Sequence, residues 1–241
     1  MIAIVRKLVL AASAACLLCA TGAVASMRVN PLIIYMSPTA QGSSSVVQLT
    51  NVTDADLPVD VSVVKRTAVD GVEVDVPADD DFIIFPPQMI IRPGQTQTLR
   101  IQWVAGVVPP ASESYYVYVT QVPAALQPGQ SGVRVAYRFG VSVHMVPPRT
   151  QPDLRMVSIS PATGPEGVAG FELTLRNDGT RYARMSEHEM TLGNKSWSRT
   201  DLKTAVGTGF MLPGQQRTFF VPYDGEVTTS SSVTLVQRGA I

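Results

Sequence analysis

Between Val133 and Met145 the chain places an apolar side chain at every second position: Val133, Val135, Tyr137, Phe139, Val141, Val143 and Met145. A period of two belongs to a strand with one buried face, and no helix keeps those seven side chains on one side. Shorter stretches repeat the pattern. Val59-Asp60-Val61-Ser62-Val63, Leu99-Arg100-Ile101-Gln102-Trp103 and Tyr115 to Val119 alternate, and Val46-Val47-Gln48-Leu49 leads into Asn51. Glycine and proline, 18 of each, punctuate the chain between them. Helical periodicity is nearly absent. Many short strands divided by turns imply an all-β sandwich or barrel.

A boundary interrupts the pattern. Val146-Pro147-Pro148-Arg149-Thr150-Gln151-Pro152 holds three prolines in seven residues. Proline fixes φ and cannot donate to a ladder, so a stiff, extended connection is expected there. The expected division is a domain over 26–146, a linker over 147–152 and a second domain over 153–241. A weak repeat supports two similar sandwiches in tandem. Val47-Gln48-Leu49-Thr50-Asn51 is echoed by Leu173-Thr174-Leu175-Arg176-Asn177, and Arg92-Pro93-Gly94-Gln95 by Leu212-Pro213-Gly214-Gln215. In each half a strand ends in Asn, and a Pro-Gly-Gln turn launches another strand some forty residues on. Pro presets φ for such a turn and Gly accepts φ > 0.

The N-terminus reads as an export signal over 1–25. Arg6 and Lys7 precede an apolar run from Leu8 to Ala20, and Ala23-Val24-Ala25 forms a small-x-small cleavage box. The run is shorter than the ~20 residues that span a bilayer. Both cysteines, Cys16 and Cys19, fall inside it, so the mature chain enters an oxidising compartment with no thiol. Cleavage also removes Arg6 and Lys7, leaving 17 of the 19 basic residues against 19 acidic ones. A near-neutral chain without a basic block does not suit nucleic acid. No later apolar run is long enough to enter a membrane.

Catalytic and metal-binding patterns are sparse. His144 falls on the polar side of its strand, and His188 lies in Ser186-Glu187-His188-Glu189 without a second histidine nearby. Both are expected to be solvated. The acidic stretch from Asp75 to Asp81 lacks the calcium-loop spacing and reads as a solvated loop. Asn51-Val52-Thr53 and Asn194-Lys195-Ser196 match glycosylation sequons and read as turn residues. No phosphate loop or nucleophile elbow is present. The expectation is a chain with no cofactor and no metal, not an enzyme.

Most of the mature chain resembles the periplasmic chaperones of the chaperone–usher pilus pathway. The resemblance is carried by Phe85-Pro86-Pro87-Gln88-Met89-Ile90-Ile91-Arg92-Pro93-Gly94-Gln95-Thr96-Gln97-Thr98-Leu99-Arg100-Ile101, by Glu113-Ser114-Tyr115-Tyr116-Val117, by Gln121-Val122-Pro123 and by the strand from Val133 to Pro147. It implies two immunoglobulin-like sandwiches joined by the proline-rich linker. It also implies a periplasmic protein that lends its own strand to pilus subunits lacking their final one, then passes them to an outer-membrane usher. Val133, Val135 and Tyr137, with Leu126, are the donor residues it implies.

A subunit's terminal carboxylate calls for paired cations, and Arg100 and Arg138 are the candidates, with Arg92 and Arg28 in reserve. The best-studied branch carries a cleft arginine and lysine, whose positions fall here near Tyr35 and Ser142. With Asn30-Pro31 opening the first strand and Tyr137-Arg138-Phe139 in the last, the chain looks more like the archaic branch. Glu113 matches an acidic position that helps to fix the angle between domains. A free apolar edge also favours self-association of the unliganded protein. The alternative is a structural subunit or adhesin of a surface fibre. A secreted enzyme or sugar-binding module is disfavoured by the missing acid pair and aromatic platform.

Overall fold

The computed structural model describes residues 26–39, 42–123 and 135–237. The export signal with Cys16 and Cys19, and the donor candidates Leu126 and Val133, lie outside the described residues. Ten strands run to Met145: β1 (Met27–Asn30), β2 (Ile33–Met36), β3 (Ser44–Asn51), β4 (Leu57–Val69), β5 (Val72–Pro77), β6 (Phe82–Phe85), β7 (Gln88–Ile91), β8 (Thr96–Trp103), β9 (Glu113–Gln121) and β10 (Arg138–Met145). They form two sheets, one in the order β1-β3-β8-β6 and one in the order β2-β10-β9-β4-β5, with β7 also on β4. The chain changes sheets between β1 and β2, at Pro31, and between β6 and β7, at Pro86-Pro87. Proline has no N–H for a ladder, so the breaks fall where pairing stops anyway.

The alternation read from the sequence is the burial pattern. Val47 and Leu49 of β3, Leu99 and Ile101 of β8, Tyr115, Val117 and Val119 of β9, and Val141, Val143 and Met145 of β10 are fully buried between the sheets. Each such side chain contributes ~1.5–3 kcal/mol of burial. The strand expected from Val133 begins its ladder only at Arg138.

Beyond Met145 eight strands follow: β11 (Leu154–Thr163), β12 (Ala169–Asn177), β13 (Ala183–Arg184), β14 (His188–Leu192), β15 (Lys195–Trp197), β16 (Phe210–Met211), β17 (Gln216–Pro222) and β18 (Val233–Gln237). Sheets β11-β12-β17 and β15-β14-β18, with the pair β13-β16, enclose a second core around Phe171, Leu173, Leu175 and Met190. Among the described residues one α-helix, α1 (Arg199–Val206), interrupts the strands, contrary to expectation. Its signal was Ser198 three residues before Asp201. The Ser198 hydroxyl accepts from the Asp201 N–H, and the Asp201 carboxylate accepts from the Ser198 N–H, which satisfies free donors at the helix start. Between the sandwiches the chain is not extended. It turns at Pro148-Arg149, where Arg149 has φ 67°, and the Thr150 hydroxyl donates to the Pro147 carbonyl at 2.8 Å.

The sequence repeat is a repeat of hydrogen bonds. Asn51 and Asn177 are both fully buried. The Asn51 amide donates to the carbonyls of Ala55 (2.7 Å) and Ile91 (2.8 Å), and its oxygen accepts from the Thr53 N–H and hydroxyl. The Asn177 amide donates to Arg181 (2.8 Å) and Leu212 (3.2 Å), and its oxygen accepts from the N–H groups of Gly179 and Asp153. Each backbone also exchanges bonds with its Pro-Gly-Gln turn: Gly94 N–H to Asn51 and Asn51 N–H to Gln95, then Gly214 N–H to Asn177 and Asn177 N–H to Gln215. The residues read as turn formers are thus internal ties that hold a strand end to a distant turn.

Candidate functional site

Strand β10 is the asymmetric element. On one side it pairs antiparallel with β9 along its whole length, from Arg138↔Thr120 to Met145↔Glu113. On the other it pairs with β2, in parallel, only from Ser142↔Ile33 to Met145↔Met36. Among the described residues Arg138 to Val141 have no strand on that edge. Upstream, the Gln121 N–H donates to the Tyr137 carbonyl at 2.9 Å, so Tyr137 faces β9. The Ser142 N–H reaches the Leu32 carbonyl on the other side. By the alternation of an antiparallel ladder, Ala136, Arg138 and Gly140 turn their N–H and C=O groups to the free edge.

The side chains of this strand grade from core to solvent. Val141 is fully buried, Phe139 packs partly against the core, Tyr137 is half-buried with its ring 6.5 Å from that of Phe139, and Val135 is exposed. The same alternation that fills this protein's own core therefore runs out past it at Tyr137 and Val135.

The cation pair read from the sequence does not converge. Arg100 stands on the outer face of the β1-β3-β8-β6 sheet, between Val46 and Phe85 on the neighbouring strands. Arg138 stands on the outer face of the other sheet, its guanidinium 3.5 Å from the ring centre of Tyr118. The outer faces of a sandwich look in opposite directions, so no single carboxylate reaches both. Arg28, on β1, and Arg92, after β7, are exposed as well. Alternation separates inside from outside, but it does not say which of two outsides a residue faces.

The outer face of the β10 sheet is covered near its end by the second sandwich. Tyr35, His144, Ser114 and Arg66 form one cross-strand row there. His144 lies 4.6 Å from the ring of Tyr182, 5.3 Å from Phe210 and 5.6 Å from Tyr35, and its Nδ1 is 2.9 Å from the Ser114 hydroxyl. The Arg66 guanidinium lies 4.6 Å from the Tyr116 ring and 4.3 Å from Phe210, and its Nε donates to Glu73 at 2.5 Å. Across the boundary Arg184 donates to the Tyr35 hydroxyl at 2.9 Å, Ser112 N–H to Thr180 at 2.7 Å, and Tyr182 N–H to the Ser112 hydroxyl at 2.8 Å.

His144 is thus not solvated as expected: only 2% of it is exposed. Burial, then the charges of Arg184, Arg66 and Arg181, push its pKa down to about 3, so the ring is neutral. His188 is buried too, with Nδ1 2.9 Å from the Arg184 carbonyl, and burial lowers its pKa. No periodicity marked Tyr182, Phe210, Arg66 or Arg184, because their burial is set by a second unit and not by their own strand.

Glu113 opens β9 and borders the cleft between the sandwiches, beside Ala111, Leu212 and Pro213. It pairs with Lys65 and accepts from the Tyr115 hydroxyl, which also donates to Asp81 at 2.9 Å. These partners all lie in the first sandwich. Burial and the two carboxylates push the Tyr115 phenol strongly up. Asp79 accepts from the Val63 N–H, and Asp75 from the Tyr118 hydroxyl at 3.2 Å, so the acidic stretch is bonded to its own sheet. Among the described residues no three His, Cys, Asp or Glu side chains are placed to hold a metal.

Comparison with known proteins matches residues 27–151 to the family of pili and flagellar-assembly chaperones, PapD N-terminal domain. No curated protein matches the chain. Among solved structures, one similar chain comes from the CsuC–CsuE chaperone–tip adhesion subunit pre-assembly complex of the archaic chaperone–usher Csu pili of Acinetobacter baumannii. It is 17% identical, with 81% of this chain and 90% of that chain covered and a TM-score of 0.55. Another is from the Salmonella enterica SafA pilin–SafB chaperone complex, at 18% identity, 84% and 86% coverage and a TM-score of 0.55. The E. coli chaperone DraB is 18% identical, with 83% and 88% covered and a TM-score of 0.52. At such identities these neighbours share the fold, two immunoglobulin-like sandwiches in tandem. With more than half of its length matched by the family model, the chain belongs to the pili and flagellar-assembly chaperones.

Proposed function

We propose that this protein is a periplasmic chaperone that binds pilus subunits lacking their final strand, completes their fold with β10, and delivers them to an outer-membrane usher. The observation that carries the reading is the edge of Arg138 to Val141, which no strand among the described residues covers, with Tyr137 and Val135 leaving the core just upstream. Such an edge gives main-chain affinity and alternate side chains give selectivity. An incomplete subunit exposes an apolar groove and an unpaired edge, each prone to aggregation, and one strand covers both. No nucleotide or catalytic step is required. The family and the export signal read over 1–25 support a periplasmic location.

The carboxylate of a subunit needs a cation beside this edge. Arg138 stands there, and Arg100, on the opposite face, does not. The test is co-expression in a periplasm with the small exported proteins encoded beside this chain, followed by purification through a tag. The wild type is expected to bring down a stoichiometric partner, and Val135→Asp/Tyr137→Asp to bring down none. Arg138→Ala is expected to weaken the complex by about tenfold or more, as a charge-assisted hydrogen bond implies, with the unfolding midpoint unchanged. Arg100→Ala is expected to have no effect. Equal effects of Arg100→Ala and Arg138→Ala would discard the anchor. Polymerisation of the chain with no partner at all would favour a fibre subunit.

A further inference from the structure

Four side chains form one strip on the outer face of the β10 sheet: Arg66, Tyr116, Tyr118 and Arg138. The two tyrosine rings lie 5.5 Å apart. The Arg66 guanidinium lies 4.6 Å from the centre of the Tyr116 ring, and that of Arg138 lies 3.5 Å from the centre of Tyr118. A cation is attracted to the negative face of a ring, and arginine also stacks flat on it. Strand β5 ties each half of the strip. The Arg66 Nε donates to Glu73, and the Tyr118 hydroxyl donates to Asp75 at 3.2 Å.

Gly140 is the seat of the strip. It pairs with Tyr118 across the ladder of β9 and β10. A Cβ at that position would lie 3.2 Å from the Tyr118 ring and 3.4 Å from the Tyr116 ring. A glycine inside a strand weakens it, and it belongs where another group must approach the backbone closely. Here that group is a pair of rings, which rest against the backbone of β10 two residues from Arg138.

The two arginines differ in what they have left to donate. Arg66 is buried, lies 4.3 Å from the Phe210 ring of the second sandwich and spends its Nε on Glu73. Arg138 is exposed, and among the described residues its guanidinium makes the ring contact with no hydrogen bond or ion pair. A free arginine loses rotamer freedom when it grips an anion, and one already flat on a ring has less to lose. Its N–H donors stay available for a planar carboxylate. Burial, then the Asp75 carboxylate, raises the pKa of the Tyr118 phenol, so the hydroxyl keeps the proton that ties the ring.

We propose that Asp75, Tyr118 and Gly140 are positioning residues for Arg138: they hold its guanidinium flat and unspent beside the open edge of β10, ready for the terminal carboxylate of an added strand. This role rests on the reading of Arg138 as the carboxylate anchor. It also explains how one exposed strand arginine differs from the others: a tethered ring lies beneath it.

Two measurements separate the stack from the anchor. In the free protein the Arg138 Nε–H resonance is compared between the wild type and Tyr118→Leu. The ring beneath the guanidinium is expected to shift it upfield, and the shift is expected to vanish in the variant. In the periplasm each variant is then co-expressed with a differently tagged wild type and a limiting amount of the subunit that co-purifies with the wild type, and the ratio of subunit captured is read. Tyr118→Leu is expected to cut capture by about tenfold, as Arg138→Ala does, and to add nothing in the Arg138→Ala background, because the two side chains act as one unit. Asp75→Leu is expected to cut capture by about threefold, and Asp75→Asn, which keeps an acceptor for the hydroxyl, to retain it. An Arg138 resonance unchanged by Tyr118→Leu would overturn the proposal whatever the subunit does. Equal losses from Tyr118→Leu with and without Arg138 would overturn it too, by giving the ring a role of its own. A lost ring shift with full capture by both Tyr118→Leu and Arg138→Ala would leave the stack standing but remove the anchor, and the positioning role with it.

Discussion

Replacing Asn51 by alanine is expected to lower the stability of the first sandwich by about 3 kcal/mol or more. The side chain is fully buried and makes four hydrogen bonds, two to carbonyls and two from Thr53. A buried group left without a partner costs roughly 1–3 kcal/mol, and the Ala55 and Ile91 carbonyls both lose their donor. For a sandwich of this size that is a fall in melting temperature on the order of 10 °C. Asn51→Asp, with the same shape, keeps the acceptor and removes the donor, so it is expected to be no milder. Asn177→Ala is expected to do the same to the second sandwich. Calorimetry of the three variants reads these losses, and a drop below about 1 kcal/mol for Asn51→Ala would show that the tie is dispensable.

Acidification is expected to loosen the contact between the sandwiches through His144. Its folded pKa, about 3, lies below the unfolded 6.5. A depressed histidine contributes stability that is fully present above the unfolded value and is lost as pH falls toward the folded one. The rate of loss is about 1.4 kcal/mol per pH unit over most of that window. The groups facing the ring explain why it stays neutral: Tyr35, Tyr182 and Phe210 exclude water, and Arg184, Arg66 and Arg181 repel a second charge. His144→Phe keeps the stack and cannot be protonated. Between pH 7.5 and 4.5 the wild type is expected to lose about 2–3 kcal/mol more than this variant in denaturant titrations. His188, lowered in the same direction, is common to both proteins and cancels. Parallel curves would show that His144 is not held neutral by the interface.

The strands were legible because period two encodes the inside of a sandwich. Val141, Val143 and Met145 were placed by alternation alone, and they are fully buried. What alternation does not encode is which outer face a polar residue occupies, or what comes to lie over it. Arg100 and Arg138 read alike in sequence and stand on opposite sides. His144 points outward from its own sheet, and the second sandwich buries it. Asn51 reads as a turn residue and Asn177 as a strand end, since asparagine favours turns, yet both side chains are internal anchors. The helix α1 was hidden by its length of eight residues, only one of which is buried. The β5 strand, Val-Glu-Val-Asp-Val, has a clean strand pattern, and only topology shows that its apolar face is left open.

Amide exchange measured by NMR on the free protein and on its complex with a co-purified subunit reads whether a partner strand adds to the free edge of β10. In a ladder the Phe139 and Val141 amides already bond β9, and those of Arg138 and Gly140 face outward. Subunit binding is expected to slow exchange at Arg138 and Gly140 by about a hundredfold or more, with little change at Phe139 and Val141, because only the outward amides gain a partner. Unchanged exchange at Arg138 and Gly140 in a stoichiometric complex would contradict it and place the subunit elsewhere on the chain.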